Sequence, residues 1–139
     1  LTPAPPLPDG WLVLANPGIP LSTPQVFIHW TGPFSKPARF RQPPKDFSAL
    51  AVLLKERSND LTKPAVRAAP IIDDTIKALA NCKGALLARM SGSGATCFGL
   101  FECKKNAQVA VKSLNDKQPN WWVRAAPLLT SWQKSPDRL

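Results

Sequence analysis

Residues 85–103 read ALLARMSGSGATCFGLFEC, two apolar runs separated by alternating serines and glycines. The runs over residues 85–90 and 95–101 lie close enough to pair antiparallel, and their short, branched or aromatic side chains suit a sheet. The turn between them is open to two readings. Consecutive N–H groups in a Ser/Gly turn can form a concave anion nest, with glycine permitting positive φ and close approach by a phosphate. A plain hairpin turn uses the same residue types. A Walker loop is excluded, because no Lys-Ser/Thr follows Gly94 and the downstream run reads as a strand rather than a helix opening its N-terminus to an anion.

The chain's 16 prolines punctuate the rest, so the ordered pieces are read between them. Residues 1–10 form a Pro-rich, extended leading segment. A short buried strand over residues 11–15 is stopped by Asn16-Pro17-Gly18. Ser22 and Thr23 are good N-caps and Pro24 suits a first helical position, which predicts a helix from 24 to about 30. Residues 31–45 read as a loop. Asp46 then caps a helix whose Phe47, Leu50, Ala51 and Leu54 share one face. Residues 58–64 break the run, and the next helix carries Ile72, Ile76, Leu79 and Ala80 on one stripe before Gly84 offers a left-handed stop. After the hairpin, Ala107, Ala110, Val111 and Leu114 keep helical spacing. WWVRAAPLL closes with a strand, and residues 131–139 form a tail. The expected fold is α+β, an antiparallel sheet of about four strands with helices packed mainly on one face, in a single domain over residues 11–130.

A chain of 139 residues with 44% hydrophobic content can bury a real core. Lys and Arg outnumber Asp and Glu 18 to 9, a formal charge of +9, which favours anionic partners in general and names none. Cys82, Cys97 and Cys103 form no C-x-x-C, and with one histidine no His/Cys metal cluster is expected. Reduced thiols in a cytoplasmic protein are the expectation, with no run approaching the roughly 18 apolar residues of a membrane span. The first residue is Leu1 and the opening reads like a stretch entered midway, so a fragment is expected.

MSGSGATCFGLF resembles the third conserved motif of the GHMP small-molecule kinases. NPGIPLSTPQVF is similar to a strand-to-helix passage in one branch of that family, and Asn59-Asp60-Leu61 resembles that branch's N-D-L-E stretch, with Thr62 in place of the Glu. Order and separation also fit, so the chain resembles a GHMP kinase C-terminal half. The resemblance implies a ferredoxin-like domain, and a kinase that moves a phosphoryl group from ATP to the 2-hydroxyl of a cytidine-diphosphate-linked methylerythritol in non-mevalonate isoprenoid precursor synthesis. ATP with Mg, the phosphate loop, and the Asp and Lys acting on the hydroxyl are implied to belong to an N-terminal kinase domain. No catalytic residue is thus expected in these residues, and the chain alone is expected to be inactive.

Two sets of site residues follow from the resemblance. The glycine turn, Ser91, Gly92, Ser93, Gly94, Ala95 and Thr96, is expected to turn the hairpin and to press its backbone toward the substrate and phosphate region, where a side chain at Gly92 or Gly94 would intrude. Thr23 is expected to hydrogen-bond the cytidine part of the substrate and Phe27 to stack on cytosine. Four residues apart on a helix, both point the same way. The competing reading makes Thr23 an N-cap and Phe27 a core residue.

Other candidates carry less. His29 has no Ser, Cys or carboxylate nearby in sequence and reads as a surface or partly buried imidazole. Asn59 and Asp60 are placed to cap the next helix, and Asp73-Asp74 read as first-turn acids serving the helix dipole rather than a metal pair. Phe34, Lys36, Arg39, Phe40, Arg41 and Lys45 interleave rings and cations as a nucleic-acid contact does, although a solvated loop is the stronger reading since the prolines break any recognition helix. Pro3, Pro5, Pro6 and Pro8 suit a linker or a polyproline ligand.

Overall fold

The hairpin is the outer half of a four-stranded sheet. In the computed structural model, which describes residues 4–130, β1 is Trp11–Asn16, β2 is Ala85–Met90, β3 is Cys97–Phe101 and β4 is Trp122–Pro127. Pro3 of the polyproline reading and the tail expected over residues 131–139 lie outside the described residues. The strands run in the order β2-β3-β1-β4 and every neighbour pair is antiparallel, so β1 sits inside the sheet between β3 and β4. Five helices complete the described residues: α1 (Thr23–Ile28), α2 (Phe47–Lys55), α3 (Thr62–Ala68), α4 (Ile71–Ala80) and α5 (Lys104–Lys117). Hairpin plus crossovers make the split β-α-β arrangement of ferredoxin-like domains.

Two apolar layers hold the sheet. Val13, Ala15, Cys97 and Phe101 point to one face, where Ile72 and Leu79 of α4 and Ala107, Ala110 and Leu114 of α5 cover them. Side chains such as Ile72, Leu79 and Phe101, all fully buried, each contribute about 1.5–3 kcal/mol by leaving water. Val26 of α1 and Ala65 of α3 extend the same layer. Leu12, Phe98 and Leu100 point to the opposite face, where Phe47 and Leu50 of α2 cover them. Helices therefore lie mainly on one face as expected, and α2 is the exception. Its position follows from β1 and β3 being apolar at both odd and even positions, which leaves a second face to bury.

Local signals act much as read. Asp46 caps α2, its carboxylate accepting from the Ala49 N–H at 2.8 Å. Two departures have simple causes. The stripe of α4 runs through Thr75 rather than Ala80, which is exposed; the buried Thr75 hydroxyl is satisfied by the Ile71 carbonyl at 2.8 Å. The segment read as a break over residues 58–64 runs into α3, seven residues long, because Pro64 falls in its first turn, where a proline lacks no needed N–H.

Candidate functional site

The strands β2 and β3 end in a tight turn. Ser91 donates its N–H to the Thr96 carbonyl at 2.9 Å and Gly94 donates to the Ser91 carbonyl at 3.0 Å. Gly92 and Gly94 have φ of +55° and +88°, the left-handed region that favours glycine. A side chain at Gly92 would meet nothing within 4 Å among the described residues, so within this chain that glycine serves backbone conformation. At Gly94 an added Cβ would lie 3.0 Å from Met90 Sδ and 3.4 Å from Ile72 Cδ1. Of the two turn glycines only Gly94 is crowded from within the chain, and there the crowding comes from the apolar core.

Side chains from three other elements reach the turn. Asn16, at the end of β1, donates its amide to Thr96 Oγ1 at 3.0 Å. Asn59, just before α3, donates to the carbonyls of Met90 at 3.1 Å and Gly92 at 2.7 Å. Thr23 Oγ1 lies 2.8 Å from Ser93 Oγ, a hydroxyl pair in which either can donate. Thr23 is free to do this because Ser22 caps α1. The Ser22 hydroxyl accepts from the Gln25 N–H at 3.3 Å and the Gln25 side chain accepts from the Ser22 N–H at 2.8 Å, a reciprocal capping box. With Val26 fully buried, α1 turns Thr23 and Phe27 outward together, and Phe27 is 42% exposed. The cap role for Thr23 and the core role for Phe27 both fail on this geometry.

The remaining candidates are committed elsewhere. Asn59 and Asp60 do not cap α3, whose N-cap is Leu61 with no side-chain bond. Asn59 Oδ1 accepts instead from the Leu61 N–H at 3.0 Å, and Asp60 accepts from the N–H and hydroxyl of Ser35 at 2.8 and 2.9 Å. Asp73 pairs with Lys77 one turn along α4 at 2.5 Å, and that hydrogen bond raises the Lys77 pKa. His29 is exposed, and its carbonyl accepts from Arg67 at 3.3 Å. Burial pushes the Cys82 thiol up and the Cys97 thiol up to about 12, which leaves neither as a ready nucleophile; Cys103 is exposed. Among the described residues no three His, Cys, Asp or Glu side chains gather as metal ligands, and no helix is long and apolar enough to cross a membrane.

In the basic loop, the rings that a nucleic-acid contact would offer to bases are partnered within the chain. Phe34 stacks on Trp30 at 4.3 Å, and Arg57 lies 4.5 Å over Phe40. The same guanidinium donates to the carbonyls of Leu53, Ala38 (2.6 Å) and Arg39 (3.3 Å), pinning the loop to α2. Loop and helix enclose an open cleft of about 800 Å³ on the sheet face opposite Gly94.

The family model described as GHMP kinases C terminal matches residues 39–120, from the basic loop to the turn after α5. The chain belongs to the GHMP kinases. Within that family it is 47% identical, over all 139 residues, to the 4-diphosphocytidyl-2-C-methyl-D-erythritol kinase of Rhodospirillum rubrum, of which it covers 46%. To the enzyme of the same name from the Wolbachia of Brugia malayi it is 46% identical over 119 residues, 85% of this chain and 41% of the relative. The chain thus spans about half the length of the curated relatives it matches. A crystal structure of 4-(cytidine 5'-diphospho)-2C-methyl-D-erythritol kinase superposes with a TM-score of 0.61 at 26% identity, over 90% of this chain and 45% of that one. Homoserine kinase from Cytophaga hutchinsonii shares the fold with a TM-score of 0.69 at 15% identity, over 93% and 44%. Sequence reasoning named Thr23 and Phe27 and the glycine turn as two separate sets, which the structure joins through Thr23 and Ser93, and it missed Asn16 and Asn59 as side chains that hold the turn. The signal for both was present, Asn16 in the strand stop and Asn59 in the N-D-L stretch, but their partners are 80 and 31–33 residues away.

Proposed function

We propose that this chain is the substrate-binding half of a cytoplasmic, ATP-dependent kinase acting on the 2-hydroxyl of 4-diphosphocytidyl-2-C-methyl-D-erythritol, in non-mevalonate isoprenoid precursor synthesis. The observation that carries the reading is the 47% identity to the Rhodospirillum rubrum enzyme along the whole chain. The outward Thr23–Phe27 face beside the glycine turn supports it. In this reaction the hydroxyl oxygen forms a bond to the γ-phosphorus of ATP, the bond to ADP breaks and the hydroxyl proton is released. Among the described residues no three carboxylate, His or Cys side chains gather as a magnesium site would need, and Asp73 is held by Lys77 and Asp60 by Ser35. ATP and Mg therefore belong, in this reading, to an N-terminal kinase domain.

The work of this chain is to bind and orient. Phe27 offers an open ring face to cytosine. The Thr23–Ser93 pair shares one internal bond and keeps one hydrogen and several lone pairs for the nucleotide part of the substrate. The glycine turn brings its backbone to the phosphate region, and orientation of the reacting groups is where such a scaffold contributes rate.

Phe27→Ala in the complete kinase tests the assignment. Loss of a base–aromatic contact worth about 1–3 kcal/mol raises KM for the cytidine substrate by about 5- to 150-fold, with kcat much less affected because cytosine is remote from the reacting hydroxyl. Thermal stability changes little, since the ring is already partly in water. Phe27→Leu keeps apolar volume and loses the ring face; normal cytidine affinity in that variant overturns the assignment.

A further inference from the structure

We infer that Asn59 is a positioning residue for the glycine turn, and that its side-chain amide selects the one turn conformation in which the kinase works; this rests on the proposed role of the turn at the phosphate region. The turn closes with two bonds of its own, Ser91 N–H to Thr96 and Gly94 N–H to Ser91. Those bonds leave the carbonyls of Met90 and Gly92 to find donors elsewhere, and Asn59 Nδ2 supplies both. An amide nitrogen has two hydrogens, so its donor capacity is filled by this one turn. At the other end of the same side chain, Oδ1 accepts from the Leu61 N–H at the start of α3.

The side chain is thus fixed at both ends, and its chemistry is specific. Aspartate keeps the acceptor for Leu61 and offers no donor to the two carbonyls. Glutamine has both functions one methylene too far out, and serine has a single donor. The need for a clamp follows from the turn's composition. Two glycines at positive φ have many alternative conformations of similar energy, and the turn bonds alone do not choose among them. Asn16 and Thr23 reach side-chain atoms of Thr96 and Ser93, whereas Asn59 holds backbone on both sides of Ser91. A loosened turn costs orientation at the reacting centre rather than affinity for the distant cytosine.

The experiment compares Asn59→Asp and Asn59→Ala in the complete kinase by amide hydrogen exchange and steady-state kinetics. In Asn59→Asp the amides of Ser91 and Gly94 exchange at least about tenfold faster, while those of Val13 and Val123 in β1 and β4 stay within about twofold. Its kcat falls at least about tenfold with KM for the cytidine substrate within about threefold. Native exchange and native kcat in Asn59→Asp, with both lost in Asn59→Ala, assign the residue to the start of α3 and overturn the inference. So does acceleration spread evenly over β1 and β4, or a loosened turn with unchanged kcat. If the unaltered kinase does not phosphorylate the cytidine substrate, the functional reading fails on its own, and the exchange pattern still decides whether Asn59 clamps the turn.

Discussion

Residues 91–96 and residues 31–45 are both turn-rich stretches without periodicity, and the fold treats them in opposite ways. The glycine turn grows from two paired strands, carries its own closing bonds, and is gripped by Asn16, Asn59 and Thr23 from three further elements. Its inner side, at Gly94 and the buried Ala95, is continuous with the main core. The basic loop is exposed along most of its length and hangs from α2 and from the segment before α3 by Arg57 and Asp60. An aperiodic, turn-rich sequence therefore does not decide whether a segment is held. What decides it is whether the neighbouring elements bring donors to its carbonyls and apolar side chains beneath it.

The sharpest way to break that contrast is Gly94→Val. Left-handed backbone disfavours any branched side chain, and the new Cβ meets Met90 Sδ at 3.0 Å. The sum of strain and overpacking is about 2–5 kcal/mol, read as a lower denaturation midpoint at unchanged slope. Unchanged stability with lost turnover would instead support the reading that this position faces the phosphate region. Arg57→Ala attacks the other region. It removes donors from three carbonyls and the cation over Phe40, at a cost of about 1–2 kcal/mol, and the loss is expected as faster proteolysis within residues 31–45 with the core amides protected.

The third test leaves the chain unaltered. Cys97 directly follows the glycine turn, is fully buried and has its thiol pushed up to about 12 by that burial, whereas Cys103 is exposed. Alkylation at neutral pH followed by peptide mass analysis is expected to mark Cys103 first and Cys97 last. Comparable rates would mean that the hairpin opens as readily as the surface. Burial of Cys97 also has a sign in pH. The unfolded chain loses this proton near the ordinary thiol value of 9.0, well before the folded chain does, so stability falls as pH rises from about 9 to about 12 and is unaffected by this group below that range.

What could be read from the sequence was whatever the chain says locally. Asp46 ahead of Phe47, Leu50 and Ala51 specifies both a cap and a stripe, and the paired apolar runs around Ser91 to Thr96 specify a hairpin. Thr23 and Phe27 were legible as a pair because one helix turn separates them. The helix α3 was not, since seven residues with a proline near the start carry too little periodicity. The position of α2 on the second sheet face, and the grip of Asn59 on the glycine turn, depend on contacts that close only in three dimensions. The same holds at Gly94, where the sequence names a glycine and only the fold tells that sulfur and methyl groups crowd it.

The inner place of β1 has a consequence for the order of events during synthesis. Its partners are residues 97–101 and 122–127, so Trp11 waits for Phe101 and Pro127 before its backbone is paired. At about 5–20 residues per second, the first strand emerges from the ribosome several seconds before either partner exists. The β2–β3 hairpin, by contrast, closes over a handful of residues and bears little loop entropy. The hairpin and its α4 cover can thus close early, while WLVLA stays without either strand partner until residues 97–101 and 122–127 are made. The earliest-made strand of the sheet is therefore the last to have both of its neighbours available.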